Sequence, residues 1–249
     1  MNRFEGKTVL VTGGSSGIGL ATAQAFATEG ARVVITGRDA ATLAKAGNAI
    51  GPHTLTVRND TSDVAAAKAL ADTLTAQQIK LDAVFINAGI ARFANFAEVQ
   101  ERFWDEMFDI NVKGAYFQIQ ALLPLLNPGA SIVLNGSINA HIGMPASSVY
   151  AASKAALISL AKTLSGELLP QGIRVNVVSP GPISTPLYGK LGMDTATLEA
   201  TTAQIQSQVP LGRFGTADEL ASTILHLSAR ESAFIVGTEI IVDGGMSQL

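Results

Sequence analysis

The chain has 249 residues, of which 47% are hydrophobic and 15% are charged, so it can bury a sizeable core. Its formal net charge of -3 at pH 7 provides no field that would attract nucleic acid or an anionic membrane. It contains no cysteine, which excludes disulfides and thiolate-bound metal. The first residues lack the long apolar segment of a signal peptide, and no run of about 18 uncharged apolar residues occurs. Composition therefore predicts a cytoplasmic α/β protein.

Short β-branched strands alternate with longer alanine-rich helices along the chain. The predicted strands are 8–12, 32–36, 54–57, 83–86, 131–134, 173–178 and 239–242. The predicted helices are 17–29, 40–50, 62–78, 104–126, 149–169, 196–208 and 217–228, and Asn127-Pro128-Gly129 is the predicted stop of the fourth. Apolar strands separated by helices are typical of a parallel sheet that is covered on both faces. Right-handed crossovers then predict a single doubly wound domain over residues 1–249.

A glycine-rich turn joins the first predicted strand to the first predicted helix. Its sequence is Thr-Gly-Gly-Ser-Ser-Gly-Ile-Gly over residues 12–19. Gly13 allows a tight turn, Gly17 lets a pyrophosphate approach the backbone, and Gly19 allows the helix to pack closely on the strand. The helix N-terminus adds free N–H donors and a positive dipole end. The spacing differs from the commoner Gly-x-Gly-x-x-Gly pattern, but its position before a helix favours a nucleotide-binding loop.

Tyr150 and Lys154 are four residues apart in a predicted helix, so they lie on one face of it. A nearby ammonium favours the phenolate and lowers the pKa of a tyrosine from about 10 towards neutrality. Such a tyrosine is a usable general acid or base. The spacing alone is common and is also typical of a solvated helix face. Ser137, thirteen residues upstream, and the glycine-rich turn favour a catalytic role.

Several motifs together resemble those of the short-chain dehydrogenase/reductase (SDR) family over essentially the whole chain. In order, they are Thr12–Gly19, Asp60, Asn87-Ala88-Gly89, Asn111, Ser137, Tyr150 with Lys154, and Pro180-Gly181. The Val-Asp-Gly-Gly segment at residues 242–245 is similar to that of NADP-dependent alcohol dehydrogenases and carbonyl reductases in this family. The resemblance implies a Rossmann-type doubly wound parallel sheet of about seven strands with helices on both faces.

The resemblance also implies a nicotinamide dinucleotide cofactor. The residues that it assigns to the cofactor are Gly13, Ser15, Ser16, Gly17, Ile18, Gly19, Arg38, Asp60, Asn87, Ala88, Gly89, Tyr150, Lys154, Pro180, Gly181, Ile183 and Thr185. Asp60 is similar to the residue that accepts a hydrogen bond from the adenine amino group, although it also lies in a run typical of helix caps. Ile183 and Thr185 are similar to residues that hold the nicotinamide carboxamide.

The residues after the second predicted strand indicate which cofactor is preferred. An acidic residue there would hydrogen-bond the adenosine ribose and repel a 2′-phosphate. This chain has Gly37 followed by Arg38, which leaves room for a phosphate and supplies a guanidinium to bind it. Asp39 weakens the positive field, and Ser15 and Ser16 add no second basic residue. The sequence predicts NADP(H) over NAD(H).

Four residues form the predicted catalytic set. Reduction of a carbonyl carbon builds negative charge on its oxygen, which donors must neutralise. Tyr150 is the predicted general acid in reduction and general base in oxidation, and Ser137 is predicted to hydrogen-bond the same oxygen. Lys154 is predicted to lower the tyrosine pKa and to hold the nicotinamide ribose. Asn111 resembles the family residue that seats a water linking Lys154 to solvent.

The segment between Ser137 and Tyr150 supplies three candidate substrate contacts, which are Asn139, His141 and Met144. For His141, a solvent-facing position is an equal alternative. The three histidines of the chain show no ligand spacing, so no metal is predicted.

An insertion at about residues 182–215 is predicted to close over the substrate. Its apolar residues, Leu187 and Tyr188 among them, favour a ketone or secondary alcohol with a hydrophobic body. The alternatives are a 3-oxoacyl thioester reductase, a sugar or polyol dehydrogenase, and a non-catalytic NADP-binding sensor. The resemblance implies a homotetramer, and no nucleic-acid or membrane partner is predicted.

Overall fold

The computed structural model describes residues 2–185 and 194–249, and its framework is one parallel sheet. The strands are β1 (Thr8–Val11), β2 (Arg32–Gly37), β3 (Leu55–Arg58), β4 (Leu81–Ile86), β5 (Leu126–Asn135), β6 (Arg174–Pro180) and β7 (Glu239–Val242). Their order in the sheet is β3-β2-β1-β4-β5-β6-β7. Successive strands are therefore added on one side of β1 up to β3 and on its other side from β4 onward, and ligands of open α/β sheets bind at such a switch point. The predicted fold class is confirmed.

Eight α-helices accompany these strands in the described part of the chain. They are α1 (Gly17–Thr28), α2 (Ala40–Ile50), α3 (Val64–Ala76), α4 (Glu101–Phe108), α5 (Ala115–Leu122), α6 (Ser148–Leu168), α7 (Thr195–Ser207) and α8 (Ala217–Ser228). None of the helices formed by the described residues combines the length and the apolar character needed to cross a bilayer.

The alternation of side chains along each strand divides the core into two layers. Leu10 packs with residues of α3, α5 and α6 on one face of the sheet. Its neighbours Val9 and Val11 pack with α1, α2 and α8 on the other face. Because successive side chains of a strand point to opposite faces, a sheet covered twice needs apolar residues at every position. This explains why β1 has no polar alternation.

The segment before β5 differs from the prediction. The predicted helix over 104–126 is divided into α4, a π-helical segment over Asp109–Gly114, and α5, which ends at Leu122. Pro124 then lies in a short 3-10 turn. The predicted stop at 127–129 lies inside β5, where the pairing with β4 shifts register between Leu81 and Ala83. Proline favours the first positions of a new turn, and a strand bulge absorbs the Asn-Pro-Gly run instead of a helix end.

Candidate active site

The glycine-rich turn joins β1 to α1 at the switch point of the sheet. Its backbone conformation requires glycine. Gly13 (φ 64°) and Gly17 (φ 52°) are in the left-handed region. A Cβ added at Gly19 would collide with the carbonyl oxygen of Gly13. Ser16 caps α1 without a side-chain capping bond, so the first backbone N–H groups of the helix stay available to donate hydrogen bonds to a ligand. This cradle of small residues and free donors fits a pyrophosphate.

We expect Gly19→Ala to destabilise the protein by roughly 1–3 kcal/mol and to weaken cofactor binding, because the new methyl group overpacks the turn. Gly166 in α6 has nothing within 4 Å of its added Cβ. Gly166→Ala is therefore the control, and it should stabilise the protein by about 0.5–1 kcal/mol. Thermal unfolding and cofactor titration of both variants measure this difference. A Gly19→Ala variant as stable as the wild type would contradict the close packing.

Asn87 ties the carboxyl ends of β1, β4 and β5 together beside this turn. Its Nδ2 donates to the carbonyl oxygens of Thr12 at 3.0 Å and of Gly13 at 3.2 Å. Its Oδ1 accepts from Nδ2 of Asn135 at 3.0 Å. The Thr12 hydroxyl oxygen accepts the backbone N–H groups of Asn87 and Ala88, both at 2.9 Å. Three strand ends thus hold the glycine-rich turn against the switch point.

Three predicted catalytic side chains meet at the end of β5. The Tyr150 phenol lies close enough to the Ser137 side chain for that side chain to lower the phenol's pKa. Lys154, only 5% exposed, donates from Nζ to the carbonyl oxygen of Asn135 at 2.7 Å. Its Nζ lies 5.7 Å from the centroid of the Tyr150 ring. One helical turn of α6 thus presents phenol and ammonium to the strand end that carries the serine.

Ser137 is held by the short 3-10 turn that follows it. It caps Ile138–Ala140, and its Oγ accepts the Asn139 backbone N–H at 3.2 Å. Since this bond uses a lone pair of Oγ, the hydroxyl proton is left for donation. Ser137 lies just after the end of β5, and its proximity to Tyr150 is the basis for a chemical role.

Burial controls the ionisation of both groups on α6. Burial raises the pKa of Tyr150 above its ordinary value, and the hydrogen bond with Ser137 opposes this shift. Burial also lowers the pKa of Lys154 to about 8. The direction for Tyr150 is opposite to the one predicted from the sequence, because loss of hydration disfavours the phenolate. A phenol that stays protonated at neutral pH is suited to act as an acid.

Asn111 lies in the π-helical segment, buried between three parts of the chain. Its Oδ1 accepts the Ile90 N–H at 2.8 Å, and its Nδ2 donates to the Ile90 carbonyl oxygen at 2.9 Å. Nδ2 also donates to the Ser153 hydroxyl at 3.1 Å. At Gly89, an added Cβ would lie 3.0 Å from Asn111 Oδ1 and 3.7 Å from Lys154 Nζ. Asn111 therefore fixes the loop after β4 against α6, and its contact to a water stays a prediction.

Phe93 is a site residue that the sequence did not reveal. Its ring meets the Tyr150 ring edge-to-face, with centroids 5.8 Å apart, and 41% of the residue is exposed. The Ala94 N–H donates to the Ala146 carbonyl oxygen at 2.9 Å, which joins the loop after β4 to the loop before α6. No periodicity or motif marks this stretch, so only the tertiary contact with Tyr150 identifies it.

The candidate substrate contacts in the segment before α6 lie in two different places. His141 Nε2 lies 2.7 Å from an Oε1 of Glu239 at the start of β7, so this ring is engaged at the sheet edge. Asn139 Nδ2 lies 3.5 Å from the Met144 sulfur, and both residues are in the loop before α6. Leu187 and Tyr188 lie outside the described residues.

The predicted nicotinamide-side residues follow β6. The Gly181 N–H donates to the Val242 carbonyl oxygen at 2.9 Å, and a Cβ at Gly181 would lie 2.6 Å from that of Asp243. Glycine is therefore required where the chain leaves the sheet beside β7. Ile183 is buried and forms an isolated parallel bridge with Gly215. This bridge anchors the base of the segment that contains Thr185.

The end of β2 is open to an anion. Gly37 is followed by the exposed Arg38, and a Cβ added at Gly37 would lie 3.2 Å from Ser15 Oγ. The Asp39 carboxylate accepts the Thr42 N–H at 2.8 Å as the cap of α2. Asp39 is thus held at the N-terminus of α2, where the hydrogen bond from Thr42 lowers its pKa, so it remains a carboxylate next to Arg38.

Asp60 lies beside Arg38, after β3. Its carboxylate accepts the backbone N–H and hydroxyl of Ser62 at 3.0 and 2.8 Å. Burial raises its pKa, but these bonds and the charges of Arg38 and Arg58 outweigh burial, so the pKa lies below its usual value. Asp63, not Asp60, caps α3. An open cavity of about 500 Å³ lies beside this site, between Arg38, Ser62 and α4.

A doubly wound sheet with a glycine-rich turn at its switch point, and with Ser137, Tyr150 and Lys154 beside it, points to the class of dinucleotide-binding oxidoreductases. A family model described as Enoyl-(Acyl carrier protein) reductase matches residues 13–247. The chain belongs to the SDR family, whose members use nicotinamide cofactors.

Similar proteins agree with this assignment over their whole length. The chain is 36% identical to the NADP-dependent (R)-specific alcohol dehydrogenase of Lentilactobacillus kefiri, covering 98% of each protein. It is also 36% identical to the 3-oxoacyl-(acyl-carrier-protein) reductase FabG of Thermotoga maritima, covering 98% of this chain and 99% of that protein. A solved structure of a short chain dehydrogenase/reductase family protein is 38% identical, with a TM-score of 0.87, over 99% of this chain and 100% of that one.

Proposed function

We propose that this protein is an NADP(H)-dependent oxidoreductase that interconverts a ketone and a secondary alcohol with a hydrophobic body. The observation that carries the proposal is the meeting of Ser137, Tyr150 and Lys154 at the end of β5. A protein that only sensed the cofactor would not need this set, so the sensor alternative has no support from these contacts.

The chain's own residues divide the work between binding and proton transfer. A nicotinamide cofactor, when bound, supplies the hydride for reduction or accepts it in oxidation. In reduction, Tyr150 donates its phenolic proton to the carbonyl oxygen, and Ser137 donates a hydrogen bond to the same oxygen. In oxidation, the roles of acid and base reverse. Lys154 binds the ribose and Asn111 maintains the loop after β4 beside it.

The remaining cofactor contacts follow from the residues of the cradle. The turn at 12–19 and the start of α1 bind the pyrophosphate. Asp60, which is free of α3 capping, accepts from the adenine amino group, and Ile183 and Thr185 bind the carboxamide. Asn87, Ala88 and Gly89 line the centre of the site. Support for NADP(H) over NAD(H) comes from the end of β2, where Gly37 stands in place of an acidic residue and Arg38 is exposed, and from the name of one relative.

The substrate class is proposed from the residues around Tyr150. Phe93 and Met144 are partly exposed and apolar, which favours a neutral hydrophobic body over a charged one. Closure of the segment at about 182–215 over this body is part of the proposal, and residues 186–193 of it lie outside the described part of the chain. A 3-oxoacyl thioester stays the second candidate because one relative carries that name, and a sugar or polyol is the third.

Steady-state kinetics test the proposal directly. We expect kcat/KM with NADPH to exceed that with NADH by about 10- to 100-fold, because a charge-assisted hydrogen bond contributes about 1.5–3 kcal/mol. Neutral aryl and alkyl ketones should be reduced more efficiently than β-ketoacyl thioesters. Equal use of the two cofactors, or a preference for NADH, would refute the cofactor assignment. A preference for thioesters would refute the substrate class and leave the chemistry unchanged.

We also propose a cytoplasmic homotetramer. Apolar side chains are exposed at two separate places, with Trp104 on α4 and Tyr116 on α5, and Phe234 before β7. Large exposed apolar side chains of this kind favour association between copies. The lack of cysteine is consistent with a reducing compartment.

A further inference from the structure

A second arginine lies next to Arg38, on the neighbouring strand. Arg58 is the last residue of β3 and is in register with Gly37, the last residue of β2. Because parallel strands end at the same edge of the sheet, the side chain that follows Gly37 and that of Arg58 emerge together. Arg58 Nε donates to the carbonyl oxygen of Arg38 at 3.0 Å. This bond joins the two residues directly, and both are exposed.

The carboxylates of Asp39 and Asp60 lie next to these arginines, and the cavity that Arg38 lines is also lined by Glu101, Asp105, Glu106 and Asp109. Asp39 caps α2, and Asp60 accepts two bonds from Ser62. Within residues 2–185 and 194–249, neither Arg38 nor Arg58 forms an ion pair with a carboxylate. Their charges act on Asp60 only at longer range. Two guanidinium groups are therefore available to an incoming anion.

The charge of a phosphate monoester matches this pair. Such a group carries about 1.5 to 2 negative charges at neutral pH, which one guanidinium does not balance. The bond from Nε orients the Arg58 guanidinium, and its four terminal N–H donors have no partner in the described part of the chain. A fixed planar fork of donors is suited to phosphate oxygens.

We propose that Arg58 is a second phosphate-binding residue and forms, with Arg38, a two-arginine clamp for the 2′-phosphate of NADP(H). The proposal rests on the NADP(H) dependence proposed above. It adds a second residue that distinguishes NADP(H) from NAD(H) by binding the 2′-phosphate. Arg58 acts in two ways. It contributes its own charge, and it fixes the backbone from which Arg38 extends.

Binding of two adenosine nucleotides tests the clamp without turnover. Adenosine 2′,5′-bisphosphate and adenosine 5′-monophosphate differ only in the 2′-phosphate, so the ratio of their dissociation constants measures recognition of that group. Calorimetric titration should show that Arg58→Met lowers this ratio about 10- to 100-fold. Arg58→Lys keeps the charge but not the planar fork of donors, so it should lower this ratio less than Arg58→Met does. Arg32→Met, at the opposite end of β2 and also exposed, is the control and should leave it unchanged.

The outcomes separate the clamp from the proposed function. If Arg38→Met lowers the ratio and Arg58→Met does not, the clamp is overturned and NADP(H) dependence stands. If Arg58→Met weakens both nucleotides equally, Arg58 acts on the adenosine 5′-phosphate portion that they share and not on the 2′-phosphate, and the clamp is again overturned. If the wild-type protein binds both nucleotides equally well, the clamp and the NADP(H) assignment both fail.

Discussion

Tyr150→Phe is expected to lower kcat by about 10²–10⁴-fold, the range that a lost general acid or base produces. The variant keeps the ring, including its edge-to-face contact with Phe93, and removes only the hydroxyl that contacts Ser137. The fold and the cofactor cradle should therefore be preserved. Single-turnover kinetics with NADPH give the rate, and fluorescence titration of NADPH gives its affinity.

Tyr116→Phe is the matched control for this variant. Tyr116 is exposed on α5, and the same hydroxyl is removed there. Its kcat should equal that of the wild type. If Tyr150→Phe retains kcat within tenfold of the control, Tyr150 is not the general acid, since that loss falls below the range for proton transfer.

Lys154→Met is the second substitution with a large expected effect. It removes the ammonium beside the Tyr150 ring and the bond to the Asn135 carbonyl oxygen. We expect kcat/KM to fall by about 10²-fold or more, because both ribose binding and the charge next to the phenol are lost. Lys162→Met, an exposed lysine on the same helix, should leave kcat/KM unchanged.

Stability measurements of the same variant test the ionisation of Lys154. Burial lowers its pKa from 10.5 to about 8, so the folded protein binds the proton less tightly than the unfolded chain does. Wild-type stability therefore gains from Lys154 as pH rises from about 8 to 10.5, and below pH 8 the protein bears the full cost of the buried cation. As the pH rises across this window, the free energy of unfolding of the wild type should therefore increase relative to that of Lys154→Met by on the order of 3 kcal/mol.

Urea unfolding at pH 7 and pH 10.5 measures this difference for the two proteins. Lys162→Met should follow the wild type at both pH values, since its side chain is exposed. A Lys154→Met variant with the same pH dependence as the wild type would show that burial does not depress the lysine pKa.

Local periodicity explains why so much of the fold was predictable. Apart from the segment around 101–135, every predicted helix and strand agrees with the structure within about two residues at each end. The error there has a physical cause. The apolar pattern of 104–126 fits one long helix, although Pro124 is a local signal that α5 ends before it. The bulge in β5, by contrast, depends on pairing with β4.

The candidate site shows the same division between local and tertiary effects. Gly13 and Gly17 were predictable because their backbone angles are a local requirement. His141 was not, because its partner Glu239 is nearly a hundred residues away in sequence. The engagement of Asp39 in capping α2 was missed because neighbouring charges were counted without their hydrogen bonds.

By itself, the sequence determined the order of the elements, the glycine-rich turn and the placement of Tyr150 and Lys154 on one helical face. These depend on spacing within one element, which the chain carries in its local pattern. Only the tertiary structure decided that Phe93 meets Tyr150, that Arg58 joins Arg38, and that burial raises the pKa of Tyr150. Contacts between distant residues and the loss of hydration on burial exist only once the sheet and its helices have packed together.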